Sequence, residues 1–139
     1  MAFHLKQGRQ FMEESGLDGL LLVSRENKFY TAGLYSGSGY VLITGNGCYA
    51  IVDGRYYVQQ KARMAAAPRQ MNAVALLADE NCRFYGHINR ICAGDSVRRL
   101  GFEAEVVSCM QYQKLENELE PELVPELRDS IITRDWASW

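Results

Sequence analysis

The sequence predicts an α/β domain of three layers, with helices on both faces of a mixed central sheet of about five or six strands. Three observations carry that prediction. Short apolar runs of strand length alternate along the chain with helical patterns, the order that builds helix-covered sheets. Two of those runs, Tyr40–Thr44 and Cys48–Val52, flank Gly45-Asn46-Gly47, and Asn-Gly is the strongest short hairpin signal because both turn residues take positive φ. Apolar residues run continuously along both strands without alternating, which places the hairpin mid-sheet, covered on both sides. The hairpin thus brings one antiparallel strand into an otherwise mostly parallel sheet.

The elements follow in order. Residues 3–15 carry Leu5, Gly8, Phe11, Met12 and Ser15 on one helical face, with Gly16 as the C-cap. Gly8 costs that helix roughly 1 kcal/mol against Ala, so it relies on docking. Residues 18–24 (DGLLLVS) form a continuous apolar run, hence a buried strand. Ser24 N-caps a short helix over Arg25–Ala32, and Gly33 ends it. Leu34–Gly39 is a loop into the hairpin. A helix runs from Arg55 to about Ala66, and Pro68 stops it. Met71–Ala78 is strand-like. Asp79 caps a helix through about Cys92, with Phe84, Ile88, Ile91 and Cys92 inward and Gly94 closing it. Arg98–Glu103 is a short strand. Ser108 caps a helix through about Leu119 with Tyr112, Leu115 and Leu119 inward. Pro121 breaks it before a last extended piece, Leu123–Pro125.

With 139 residues the chain makes one domain, long enough to bury roughly 70% of its unfolded surface. A net charge of −2 gives no footprint for nucleic acid or an anionic membrane. No segment approaches the roughly 20 apolar residues of a membrane helix, and the first ten residues lack a signal-peptide apolar core, so the expected compartment is the cytoplasm. Cys48, Cys82, Cys92 and Cys109 show no CxxC spacing, and only His4 and His87 could join them at a metal. Structural free thiols are the expectation, with Cys48 and Cys109 in apolar surroundings.

Several groups could carry chemistry. Asp18, Asp53 and Glu103 all fall at strand ends, and clustered carboxylates can hold Mg²⁺ for phosphodiester chemistry; the plainer alternative is a turn residue and a solvated helix-approach acid. His4 and His87 lie in predicted helices and read as surface or interface residues rather than catalytic bases. Ser36-Gly37-Ser38-Gly39 precedes a strand, so it lacks the helix N-terminus that a phosphate loop uses. Asp53-Gly54-Arg55-Tyr56 is the sharpest case. A carboxylate, a flexible glycine and an arginine at a buried strand's exit is where α/β folds put working residues. An arginine offers a planar fork that clamps a carboxylate. Asp53 either holds that fork or caps the next helix, and Arg55 is either a ligand clamp or a solvated first-turn residue.

Taken together, the motifs resemble the N-terminal domain of the creatinase/prolidase family, which includes Xaa-Pro aminopeptidases and dipeptidases. Glu14-Ser15-Gly16-Leu17-Asp18-Gly19-Leu20-Leu21 is similar to the family's E-x-G-L-D-A-L-L, and Glu26–Gly33 to its E-N-x-x-Y-L-T-G. Ser38–Thr44, Asp53-Gly54-Arg55-Tyr56, Gly101-Phe102-Glu103, Tyr112-x-x-Leu115 and Glu126-Leu127-Arg128 follow in the family's order. Leu34 stands where an aromatic is common, Ser36-Gly37 reverses the usual order, and the tail Ile131–Trp139 departs from the usual linker helix.

The resemblance implies a sheet related to ribonuclease H in topology, over residues 1–130, with 131–139 starting a linker to a catalytic domain. It implies that this domain is noncatalytic: it shapes the substrate entrance and builds homodimer contacts, while two divalent metals, often manganese, sit in the catalytic domain and none in this chain. Arg55, flanked by Asp53 and Tyr56, and Tyr30 are the residues expected near the peptide substrate. A freestanding binding module of the same fold is the alternative.

Overall fold

The computed structural model describes residues 5–34, 38–66 and 73–126, without the side chains of Tyr30 and residues 64–66. Its elements are α1 (Leu5–Ser15), β1 (Gly19–Leu22), α2 (Arg25–Ala32), β2 (Tyr40–Thr44), β3 (Cys48–Asp53), α3 (Gly54–Ala66), β4 (Val74–Ala78), α4 (Phe84–Gly94), β5 (Arg99–Glu103), α5 (Cys109–Glu118) and β6 (Glu122–Glu126). The strands form one six-stranded sheet in the order β4-β3-β2-β1-β5-β6. β2 runs antiparallel to both β1 and β3. The other pairs, β3–β4, β1–β5 and β5–β6, are parallel. The hairpin is central as expected, and every residue of β2 is buried.

Side-chain alternation along β1 shows why both faces need cover. Leu20 and Leu22 enter a core with Leu5, Phe11 and Met12 of α1, Ala32 of α2 and, at its margin, Tyr56 and Tyr57 of α3. Leu21 points the other way, into a core with Ile88, Ile91 and Cys92 of α4 and Leu115 of α5. The three leucines are fully buried, each worth about 1.5–3 kcal/mol of transfer free energy. Gly8 has its reason here: a Cβ would sit 3.3 Å from Ile43 Cδ1, so the glycine lets α1 lie close on the sheet.

Most helix ends follow the sequence. Gly16 takes φ +68°, and the Leu17 N–H closes back on Met12 O at 2.8 Å. Ser24 Oγ accepts from the Asn27 N–H, Gly33 sits left-handed at φ 70°, and Ser108 Oγ accepts from the Gln111 N–H. Pro125 falls on the edge strand β6, where the missing N–H is tolerated. The stop at Pro68, the first residues of the strand expected from Met71, and the motif beyond Glu126 lie outside the described residues.

Two local expectations fail. Neither Asn46 nor Gly47 takes positive φ. Instead Thr44 Oγ1 accepts from the N–H groups of Asn46 and Gly47, each at 3.2 Å, and the Thr44 N–H donates to Gly47 O at 2.9 Å. A side chain does the work that a left-handed turn would do. Gly47 also leaves room for a neighbour: a Cβ there would meet the Tyr49 hydroxyl at 2.7 Å, so that ring would have to shift. Asp79 also caps no helix. Its Oδ1 accepts from the N–H groups of Asn81 and Cys82, closing a local turn, and α4 starts only at Phe84.

Candidate functional site

The C-terminal ends of β1, β3, β4, β5 and β6 share one edge of the sheet, the edge where open α/β sheets take ligands. At the end of β3, Asp53 and Arg55 form a pair that realises both readings left open by the sequence. Asp53 Oδ1 accepts from the Arg55 backbone N–H at 3.0 Å, capping the start of α3. The guanidinium lies side-on to the same carboxylate, Nη2 to Oδ2 at 3.0 Å and Nε to Oδ1 at 3.5 Å. Its Cζ also stands 5.3 Å from the centroid of the Tyr56 ring. The hydrogen bond from Arg55 holds the Asp53 carboxyl below the usual carboxylate range, and Asp53 raises Arg55 in turn. The Arg55 side chain is 74% exposed. Its side edge is committed to Asp53, which leaves the end edge, Nη1 and Nη2, to meet an incoming carboxylate. A guanidinium stays protonated, so the chemistry open to this pair is to bind and orient an anion, not to transfer a proton. Tyr30 lies in α2; its side chain is outside the described residues.

A second polar cluster sits where the sequence offered either a member of a metal-binding carboxylate group or a solvated acid. Glu103, at the end of β5, is fully buried. Its Oε1 accepts from the N–H groups of Val23 and Ser24, and its Oε2 from Asn27 Nδ2 at 2.7 Å. Beside it Lys28, also fully buried, donates from Nζ to the carbonyls of Ser38 and Gly39 at 3.3 and 3.1 Å. Burial pulls the Lys28 amine down to about 8, against the attraction of Glu103, with Arg25 adding a smaller push in the same direction as burial. Gly39 takes φ +86°, and a Cβ there would meet Ile51 O at 2.5 Å. Lys28 and Glu103 therefore pin α2 and the start of β2 to the sheet edge. The Ser38 and Gly39 carbonyls face a cation, the opposite of a phosphate cradle; Ser36 and Gly37 are outside the described residues.

The remaining candidates do not converge. Asp18 precedes β1, and its Oδ2 accepts from the N–H groups of Arg98 and Arg99, each at 3.0 Å. Since β1 and β5 are parallel, Asp18 and Glu103 lie at opposite ends of the sheet. Asp53 is three strands from Glu103, about 14 Å at the usual strand spacing. The three carboxylates form no metal cluster, and no group of three or more His, Cys, Asp or Glu residues suited to a metal occurs among the described residues. His87 is buried rather than superficial. Its Nε2 meets Leu77 O at 2.7 Å and its Nδ1 meets Arg90 Nη2 at 3.0 Å, so the ring donates at one nitrogen and accepts at the other. His4 lies outside the described residues. All four cysteines are free, and Cys109 is exposed at the start of α5, against expectation. Burial pushes the thiols of Cys48 and Cys92 up to about 12, which makes them inert. Among the described residues no helix is long and apolar enough to cross a membrane.

The chain is thus a three-layer α/β domain whose exposed polar site is a braced arginine at the sheet edge. The Creatinase/Prolidase N-terminal domain model matches residues 4–129, and the chain belongs to that family. A comparison with curated protein sequences gave no match. Among solved structures, the Xaa-Pro dipeptidase from Bacillus anthracis superposes with a TM-score of 0.78 at 19% identity, covering 94% of this chain and 34% of that one. An Xaa-Pro aminopeptidase from Streptococcus pyogenes gives 0.76 at 24% identity, covering 94% of this chain and 92% of that one. The N-terminal domain of the cytoplasmic peptidase PepQ from Mycobacterium tuberculosis gives 0.72 at 24% identity, covering 92% and 94%. This chain spans about a third of the length of the Bacillus anthracis dipeptidase. At these identities the likenesses show the fold.

Proposed function

We propose that this chain is the noncatalytic N-terminal domain of a cytoplasmic proline-specific metallopeptidase, an Xaa-Pro aminopeptidase or dipeptidase. In this reading residues 1–130 form the domain and 131–139 lead toward a catalytic domain that holds two divalent metal ions, manganese or a similar one. The domain shapes substrate access and shares in homodimer contacts. The supporting observation is the Asp53–Arg55 pair, an exposed guanidinium braced by a carboxylate and a tyrosine ring at the sheet edge of a domain from this family. Arg55 presents its free edge to a polar end of the peptide, Asp53 and Tyr56 fix its direction, and Tyr30 belongs to the same entrance. The metal ions would be held by the catalytic domain and would supply Lewis-acid chemistry for Xaa-Pro hydrolysis there; this domain's residues bind and orient.

The test is Arg55→Ala in the full-length peptidase. A several-fold or larger loss of kcat/KM on short Xaa-Pro peptides is expected, and an unchanged value would remove Arg55 from the entrance. The reading frame beyond Trp139 separates this reading from a freestanding binding module: a catalytic domain in frame supports the first, a stop codon the second.

A further inference from the structure

The two ends of the sheet are finished differently. At one end β6 reads Glu-Leu-Val-Pro-Glu, and charges with a proline are the usual guards against pairing along an edge strand. At the other end β4 reads Val-Ala-Leu-Leu-Ala, with neither charge nor proline. The hairpin fixes which backbone groups of β4 are spare. The Thr44 N–H donates to Gly47 O, so in the same register Leu42 bonds with Tyr49 and Tyr40 with Ile51. Ala50 and Val52 then face β4, where they meet the backbone groups of Val74, Leu76 and Ala78. Ala75 and Leu77 turn outward, and Leu77 O accordingly meets His87 Nε2 instead of β3. Among the described residues the Ala75 N–H and C=O and the Leu77 N–H have no strand partner. Val74 is 55% exposed, and Leu76 on the same side of the strand is half-buried.

We propose that β4 pairs antiparallel with β4 of a second copy of this chain, about a two-fold axis through Ala75. In that register the Ala75 N–H of each copy donates to Ala75 O of the other, and the Leu77 N–H of each donates to Ala73 O of the other. An axis at Leu77 would need the carbonyl that His87 already holds. Val74 of each copy lies opposite Leu76 of the other, on the face that α4 covers, so the exposed valine gains an apolar neighbour. Charge favours a second copy as the occupant. β4 brings no like charge to the seam. Asp79 and Glu80, just beyond one β4, approach the last turns of α3 of the other copy, which runs back over β3 and β4; Lys61 and Arg63 stand there, and α3 holds no acid. One strand pair with its flanking helices falls at the small end of specific interfaces, so the dimer forms at micromolar concentrations and above. This gives a surface to the homodimer contacts of the reading above without resting on its chemistry.

Sedimentation velocity of the chain as it is, from about 1 to 300 μM, is expected to show a monomer–dimer equilibrium. Hydrogen exchange at the Ala75 and Leu77 amides should slow as concentration rises, while that of Leu21, in mid-sheet, stays constant. Ala75→Pro removes the outward N–H but no bond to β3, and should weaken the dimer about tenfold or more with the far-UV circular dichroism unchanged. Val74→Lys, at a position open to solvent in the monomer, should weaken it as much by setting an ammonium against Leu76, and it decides the matter if the proline variant misfolds. A chain that stays monomeric throughout would overturn the proposal, as would a dimer indifferent to Val74→Lys or protection that appears on another strand. A monomeric chain beside a dimeric full-length peptidase would sink this pairing and leave the entrance reading intact; an inert Arg55 would do the reverse.

Discussion

Lys28 is held at a cost that pH makes visible. The unfolded chain carries this amine near 10.5 and the folded one at about 8, because burial disfavours the ammonium. Between those values the unfolded state binds more protons, so stability rises with pH across the window; below about 8 both states are protonated and the cost is constant. Lys28→Met should therefore remove a positive slope of unfolding free energy between pH 8 and 10.5 when urea denaturation of the two proteins is compared. Parallel slopes would mean that the amine is solvated in the fold. Legibility in the sequence divides along the same line as range. Asp53 and Arg55 are two residues apart, and a carboxylate so close to an arginine at a strand exit announces itself. Glu103 meets Ser24 and Asn27 across 79 and 76 positions. No local pattern marks such an encounter, and a charged residue next to an apolar run reads as a surface group. His87 was misplaced for the same reason, since its partner Leu77 belongs to a separate strand.

At the level of elements, signals that act over three or four residues transferred well. Ser24 and Ser108 cap where their spacing says, and Gly16 and Gly33 close helices in the left-handed region that glycine favours. The failures came from side chains with more than one local use. Asp79 serves either a helix N-cap or a turn, and here it closes the turn first. Asn46-Gly47 is a hairpin signal only when the backbone has no better donor arrangement, and Thr44 provides one. Thr44 also ties the turn to the far loop, its Oγ1 donating to Asp95 Oδ2 at 2.7 Å. Thr44→Val keeps the shape but removes the acceptor of the Asn46 and Gly47 amides and one of the two donors to the Asp95 carboxylate. A loss of about 1–3 kcal/mol in chemical denaturation is expected, and a change under a few tenths would show that water replaces the hydroxyl freely.

For the molecule as a whole, the mixed sheet, its six strands and the single reversed strand were readable because the apolar runs are continuous and the hairpin sits between them. The order of strands beyond the hairpin was not, since it depends on which face each connection crosses. Leu20 and Leu21 now lie in different cores on one sheet. Each to Ala should cost about 2–5 kcal/mol, and unfolding followed by far-UV circular dichroism and by tyrosine fluorescence should remain one coincident transition in both variants. Two separated transitions would show that the helical layers melt independently. The same shared sheet fixes what the scaffold can be made to do. After β1 the chain crosses to one face and after β5 to the other, and the gap between those two strand ends is where doubly wound proteins seat nucleotides. In this protein Glu103 already fills it, with the amides of Val23 and Ser24 satisfied and a negative charge in residence. A phosphate arriving there would be repelled, so anyone re-engineering the domain to hold a nucleotide must first evict the protein's own carboxylate.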